Sequence, residues 1–85
     1  MSRRQLKARE GFEVFVGWDP PLRTFFAQVY DLSIEDEDEQ LLVWLGTSFR
    51  ELESAGHTLT IIQTYTEGEL DSVLDALTED QKKNL

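Results

Sequence analysis

The first half of the chain contains three runs in which apolar residues dominate and β-branched or aromatic residues are frequent. They span residues 12–18, residues 23 to 30 or 31, and residues 41–45. Such runs are typical of β-strands. Because short connections usually join neighbouring antiparallel strands, the pattern predicts a three-stranded antiparallel meander.

The first two runs are separated by Asp19, Pro20 and Pro21. Proline has no N–H to donate to a sheet ladder, and the residue before a proline is pushed towards extended geometry. We therefore expect a hairpin corner, with most of the aromatic side chains packed around it. Asp19 and Arg23 face each other across this corner as a candidate ion pair, which would contribute little if exposed.

The second half of the chain changes to a helical period. Ser48 and Glu51 fit a capping box at the start of a first helix. Gly56 disfavours that helix, and the β-branched residues within 58–65 also allow a fourth strand over 59–65. We favour the helix because five apolar residues recur at intervals of three or four: Leu52, Ala55, Leu59, Ile62 and Tyr65.

A second helix is predicted over about residues 67–82, where Thr66 and Glu69 form another capping-box pattern. Its apolar stripe consists of Leu70, Val73, Leu74 and Leu77. The expected fold class is therefore α+β, a three-stranded antiparallel β-meander followed by two C-terminal helices packed on one face. Residues 1–10 are expected to be a flexible basic N-terminal arm, and residues 11–85 a single α+β domain.

Alternation along the strands sorts their side chains onto two faces of the predicted sheet. One face, here called the core face, is wholly apolar and is expected to lie under the helices: Val14, Val16, Phe25, Ala27, Val29, Leu41, Val43 and Leu45. The other, the aromatic face, mixes large apolar residues with Glu13, Thr24 and Gln28. Its large residues are Phe15, Phe26, Tyr30, Leu42 and Trp44.

Two helices cover one side of a small sheet more readily than both, so the aromatic face is expected to be open. Exposed apolar patches of a few hundred Å² usually mark interaction sites, and aromatic residues are enriched in interface cores. We therefore predict that Phe15, Phe26, Tyr30, Leu42 and Trp44 bind a protein partner or a second copy of the chain. Alternatively, the helices divide between the faces, or the basic arm covers the patch.

Charge narrows the choice of partner. The 85 residues carry a net charge of −9, and the charges are distributed unevenly. Residues 1–10 hold four basic side chains and one acidic side chain, whereas residues 11–85 hold four basic and sixteen acidic side chains. An acidic body repels phosphate backbones, so direct nucleic-acid binding by this body, including base stacking on the aromatic face, is disfavoured. Without cysteine, a signal-peptide h-region or a membrane-length apolar run, we expect a cytoplasmic protein with no membrane association.

Residue chemistry gives little support for catalysis or for a cofactor. The single histidine, His57, lies beside Gly56 and away from any serine motif, and zinc ligands are too few. The acidic run 35–39 has carboxylates that could collect Ca²⁺, but it lacks the glycine of an EF-hand loop. We predict no catalytic, cofactor or metal site. An alternative function is an acidic nucleic-acid mimic or inhibitor that binds a basic partner through this run.

Residues 16–26, read as V-G-W-D-P-P-L-R-T-F-F, are followed by V-Y-D at 29–31 and W-L-G-T-S at 44–48. This part of the chain resembles small bacterial proteins that share a G-W-D-x-P-L-x-T-F-F core and have no assigned activity. The resemblance covers about residues 12–50. It implies a compact bacterial cytoplasmic domain and transfers no functional residues.

Overall fold

A computed structural model describes residues 2–83, and every structural statement below concerns that range. Its regular elements are β1 (Arg4–Leu6), β2 (Phe12–Asp19), β3 (Thr24–Asp31), β4 (Leu41–Leu45), α1 (Ala55–Ile62) and α2 (Asp71–Lys83), with short 3-10 helices at Glu37–Glu39 and Gln63–Tyr65. The strands form one antiparallel sheet in the order β1-β2-β3-β4. The α+β class, the antiparallel meander and the two C-terminal helices are therefore confirmed.

The expectation of a three-stranded sheet is wrong, because the described chain has a fourth strand. β1 lies within the segment that we expected to be a flexible arm, and it pairs with β2 through Arg4 opposite Val16 and Leu6 opposite Val14. Leu6 is buried in the core. Three residues, two of them polar, are too few to show a strand period, so alternation could not reveal β1.

A pair of oppositely charged side chains connects β1 to α2. Arg4 Nε donates to Asp80 Oδ2 at 2.9 Å, and Arg4 Nη2 donates to Asp80 Oδ1 at 3.0 Å. The two-pronged geometry matches a planar guanidinium to a carboxylate. Arg4 thereby lowers the pKa of the Asp80 carboxyl, although partial burial acts in the opposite direction.

The hairpin corner forms as expected. β2 and β3 pair from Phe12 opposite Asp31 to Asp19 opposite Thr24. The corner closes when the Arg23 N–H donates to the Pro20 carbonyl at 3.2 Å. Arg23 adopts a left-handed backbone with φ of 49°, which lets the chain re-enter the sheet after the prolines.

Residues 55–65 are helical, which resolves the alternative between helix and strand. α1 begins later than predicted: Ser54 is its N-cap and accepts from the His57 N–H at 3.2 Å. Glu51 instead accepts from the Gly46 N–H at 2.8 Å and closes the loop after β4. Within α1 the Thr58 and Thr60 hydroxyls donate to carbonyls four residues earlier, so these β-branched residues satisfy their polar groups inside the helix.

The second helix also begins later than predicted, at Asp71. Thr66, the expected cap, instead forms an isolated bridge with Ala8. Leu77 is fully buried, whereas Leu74 at the edge of the predicted stripe is exposed. Neither helix of the described chain has the length and apolar character of a membrane span.

Both helices contribute to one hydrophobic core with the core face of the sheet. α1 packs on β3, and α2 packs on β2. At the corner end Trp18 joins this core and meets Phe25 with ring centroids 4.8 Å apart. The core residues are Leu6, Val14, Val16, Trp18, Phe25, Ala27, Val29, Leu52, Ala55, Leu59, Ile62 and Leu77.

Candidate functional site: the aromatic sheet face

The strand register places the residues of the aromatic face in cross-strand rows. Phe15 lies opposite Gln28, which in turn lies opposite Trp44. Two residues further along β2, Gly17 lies opposite Phe26. Because neighbouring positions on a strand alternate between faces, this register separates all these side chains from the helices.

The predicted partner-binding residues differ in exposure. Trp44 and Leu42 on the edge strand β4 are 59% and 45% exposed, large values for apolar side chains. Phe15 and Tyr30 are half-buried. Phe26, in contrast, is only 7% exposed. The structure therefore leaves Leu42 and Trp44 as the open part of the predicted surface and makes Phe26 its floor.

Phe26 is buried because its neighbours lack side chains. A Cβ on Gly17 would lie 2.5 Å from Cζ of the Phe26 ring, so the ring occupies the space above Gly17. On the other side, a Cβ on Gly46 would lie 2.6 Å from Phe26 Cα. An aromatic ring packed over a glycine in a neighbouring strand shields backbone that would otherwise face water.

The basic N-terminal segment covers one part of the aromatic face. The Arg3 guanidinium lies 4.1 Å from the centroid of the Phe15 ring, a cation–π contact. Phe15 in turn meets Tyr30 edge-on, with centroids 6.1 Å apart. The alternative in which the arm covers the patch therefore applies to Phe15 and does not extend to Trp44 and Leu42.

Leu42 owes its position to a bulge in the edge strand. Val43 pairs with Val29 and Leu41 pairs with Tyr30, so Leu42 has no partner on β3. Bulges are frequent at sheet edges, where they re-aim a side chain and discourage pairing with another strand. Leu42 is therefore an unpaired, exposed residue two positions before Trp44 on the edge strand.

A cavity of about 340 Å³ opens beside Trp44 at the corner end of the aromatic face. We call it the Trp44 cavity. Its lining combines aromatic, amide and charged side chains with backbone from the loop after β4: Arg3, Asp19, Leu22, Phe26, Gln28, Trp44, Gly46 and Thr47. This volume suits a single large side chain or a small ligand.

Asp19 is the unusual member of this lining. Its Oδ1 is buried and accepts no hydrogen bond from any described residue. The candidate ion pair between Asp19 and Arg23 does not form. The ion pairs of the described residues are Arg4–Asp80 and Arg50–Glu53. The sequence explains the missing local donors: an Asp side chain in a turn usually accepts from the N–H two residues later, and here that residue is Pro21.

Other residues considered from the sequence do not assemble into a chemical site. His57 is exposed on α1, and the acidic run 35–39 is exposed around the 3-10 helix Glu37–Glu39. Asp36 accepts from the Asp38 N–H at 3.0 Å and so caps that turn. Within residues 2–83 no three His, Asp or Glu side chains are grouped as metal ligands.

Sequence reasoning found the aromatic face but missed the cavity beside it. The cavity depends on Arg3 and on the loop residues Gly46 and Thr47, which no strand period places there. The sequence did contain one signal for an unusual Asp19: the two prolines that follow it have no backbone N–H to donate to its carboxylate.

Comparison with protein-family models, with curated proteins and with solved structures gives no match for this chain. A function therefore has to be argued from the surface itself.

Proposed function

We propose that this protein is a small non-catalytic interaction module that binds a protein partner through the aromatic face. The observation that carries the proposal is the exposure of Trp44 and Leu42, which lie two residues apart on the edge strand β4. Tryptophan is among the residues most enriched at binding hot spots. Exposed apolar patches that are rimmed by polar residues often mark interaction sites.

Charge favours a basic partner surface. The body of the protein from residue 11 onwards carries twelve more acidic than basic side chains. Complementary charge accelerates encounter and excludes acidic competitors, while the aromatic contact supplies most of the affinity. We place this role in the cytoplasm, in line with the absence of cysteine from the sequence.

The experiment that tests the proposal compares two exposed aromatic residues. Trp44→Ala removes the ring from the aromatic face, whereas Phe49→Ala removes an equally exposed ring, 62% accessible, from the loop after β4. Binding of a candidate partner is measured by titration calorimetry, and self-association by sedimentation over a wide concentration range. We expect Trp44→Ala to weaken the contact by about tenfold or more and Phe49→Ala by less than about twofold.

Two results would contradict the proposal. If Trp44→Ala unfolds the monomer, the ring belongs to the core. If the two variants weaken every measured contact equally, the aromatic face has no special role. Concentration-dependent mass that only Trp44→Ala abolishes would identify the partner as a second copy of the chain.

A second candidate function, the acidic mimic or inhibitor, is favoured by the exposure of the whole run 35–39. None of these five carboxylates belongs to an ion pair of the described chain. Such a protein would bind a basic partner with an affinity that falls steeply with salt. Neutralising Glu35, Asp36 and Asp38 to the corresponding amides should then weaken binding strongly, and unchanged binding would reject this function.

A further inference from the structure

We propose that a cleft between the hairpin corner, the loop before α1 and the end of α2 binds a small phosphate-bearing molecule through Arg23 and Arg50. We call it the arginine cleft. It has a volume of about 280 Å³ and is lined by Trp18, Arg23, Arg50, Glu53 and Gln81. The cleft lies on the side of the sheet that carries the helices. The inference therefore goes beyond the proposed function and does not depend on the aromatic face.

The first observation is a concentration of positive charge in an otherwise acidic body. Residues 11–85 hold sixteen acidic and only four basic side chains. Arg23 and Arg50 are two of these four, and both line the cleft. The other two, Lys82 and Lys83, directly follow Gln81 in the last turn of α2. A compact anion can enter such a local cationic site, whereas an extended polyanion would also meet the acidic surface and be repelled.

The second observation is that both arginines can accept a ligand. Arg23 is exposed and belongs to no ion pair within residues 2–83. Arg50 makes one long contact, from Nε to Glu53 Oε1 at 3.7 Å, and its guanidinium lies 5.6 Å from the centroid of the Phe49 ring. The side chains of Arg50 and Glu53 are both more than half exposed, so their pair contributes little. A phosphate group carries more charge than the Glu53 carboxylate and can displace it.

The third observation is that the backbone holds both arginines in fixed positions. Arg23 and Arg50 have φ of 49° and 54°, a left-handed conformation that residues other than glycine rarely adopt. The Arg23 N–H donates to the Pro20 carbonyl at 3.2 Å. The Arg50 N–H donates to the Leu22 carbonyl at 2.9 Å and so connects the loop to the corner. Unfavourable backbone that is held in this way is frequent at ligand sites, and a prearranged site loses less entropy on binding.

The donor groups of the cleft suit a phosphate better than a carboxylate. Two guanidinium groups and the Gln81 amide can donate to the three free oxygens of a phosphate monoester. A carboxylate has two oxygens and a single charge, so it would use fewer of these donors. The planar fork of arginine also matches the spacing of phosphate oxygens.

The test titrates the complete chain with phenyl phosphate and with benzoate. The ionic strength is kept constant, so that general screening is the same in both titrations. Binding is followed by NMR through the Nε–H signals of Arg23 and Arg50 and the side-chain amide of Gln81. We expect saturable shifts with phenyl phosphate and an affinity at least about fivefold higher than for benzoate.

Four variants locate the site. Arg23→Gln and Arg50→Gln should each weaken phenyl phosphate binding by about fivefold or more. Lys7→Gln removes the same charge from an exposed position outside the cleft and should change binding by less than about twofold. Glu53→Gln should have the opposite sign and tighten binding by about twofold or more, because it removes an acid that competes for Arg50.

The inference is overturned if phenyl phosphate produces no saturable shift, if benzoate binds as tightly, if Lys7→Gln weakens binding as much as the arginine changes, or if Glu53→Gln weakens it. Tighter binding of a short oligothymidylate than of phenyl phosphate would also overturn it, because the cleft would then belong to a nucleic-acid surface. The comparison of ligands on the unmodified protein keeps the test decisive even if a variant fails to fold. Trp44→Ala should leave phenyl phosphate binding unchanged, which separates this test from that of the proposed function.

Discussion

The two faces of the four-stranded sheet are built from alternate residues of the same strands, yet they differ in burial and in the elements that cover them. Val14 is fully buried on the core face, while its neighbour Phe15 is half-buried on the aromatic face. On the core face, α1 and α2 complete a hydrophobic core. On the aromatic face, the cover consists of the N-terminal segment around Arg3, and Trp44 remains open.

The difference shows how a short chain divides its apolar residues between stability and recognition. The core face carries aliphatic residues that pack closely under helices, where burial contributes about 25 cal/mol per Å². The aromatic face carries rings with polar neighbours, a composition suited to a surface that is wet in the free protein and dry in a complex. Mutations on the two faces should therefore affect different measurements.

The largest effect is expected for Phe25→Ala on the core face. Phe25 is 1% exposed and packs against Trp18. Removing its ring leaves a cavity and should lower the free energy of unfolding by about 3–5 kcal/mol. Urea denaturation monitored by circular dichroism measures this change. A loss below about 1 kcal/mol would mean that the corner end of the core is loosely packed.

The next effect, expected for Gly17→Ala, tests the floor of the aromatic face. The new methyl group would lie 2.5 Å from the Phe26 ring and would also clash with the Ser2 carbonyl oxygen. The ring or the N-terminal segment must move, at a cost of about 1–3 kcal/mol of unfolding free energy. Gly56→Ala is the control, because its Cβ meets nothing closer than 3.7 Å and alanine favours the helix. Gly56→Ala should stabilise the protein, and equal effects of the two substitutions would contradict the described packing.

A smaller effect is expected for Asp80→Asn, which breaks the pair that holds β1 against α2. The side chain of Arg4 is 44% exposed, so solvent screening limits the loss to about 1–2 kcal/mol. The lowered pKa of Asp80 gives the sign of the pH dependence. The contribution is present above the unfolded-state pKa of about 4 and disappears as the pH falls through the lowered folded-state pKa.

Denaturation of the wild type and Asp80→Asn at neutral pH and near pH 3 measures this dependence, with Asp75→Asn as the exposed control. The gap between the wild type and Asp80→Asn should narrow at the lower pH, while Asp75→Asn should follow the wild type throughout. A gap that widens on acidification would show that the Arg4 pair does not form in solution.

The smallest effect on stability is expected for Trp44→Ala. Its ring is mostly exposed on an edge strand, so the free energy of unfolding should change by no more than about 0.5 kcal/mol. The same denaturation experiment checks this value beside Phe25→Ala. A loss comparable to that of Phe25→Ala would remove the distinction between the two faces.

Much of the fold follows from the sequence because strand alternation is local. The pattern located β2, β3 and β4 to within about a residue. The assignment of side chains to the two faces is wrong for Leu41, which a bulge places opposite Tyr30 instead of in the core, and for Thr24, which is fully buried. Helix starts were less accurate, because capping patterns at Ser48 and Thr66 compete with tertiary contacts. Thr66, for example, pairs with Ala8, far away in the sequence.

The parts that the sequence did not predict depend on distant residues. β1 is stabilised by pairing with β2 and by the contact between Arg4 and Asp80 rather than by its own period. Phe26 is buried because Gly17 and Gly46, on two other segments, leave room for it. The Trp44 cavity likewise forms where the corner, the N-terminal segment and the loop after β4 meet.

The two tryptophans provide the most direct measurement, because one lies on each side of the sheet: Trp18 is 2% exposed and Trp44 is 59% exposed. Their indole N–H signals can be recorded in dilute unmodified protein with a soluble paramagnetic agent, after assignment with Trp44→Phe. The account predicts that the agent broadens the Trp44 signal strongly and leaves the Trp18 signal sharp. Equal protection of both signals in the dilute monomer would contradict an open aromatic face.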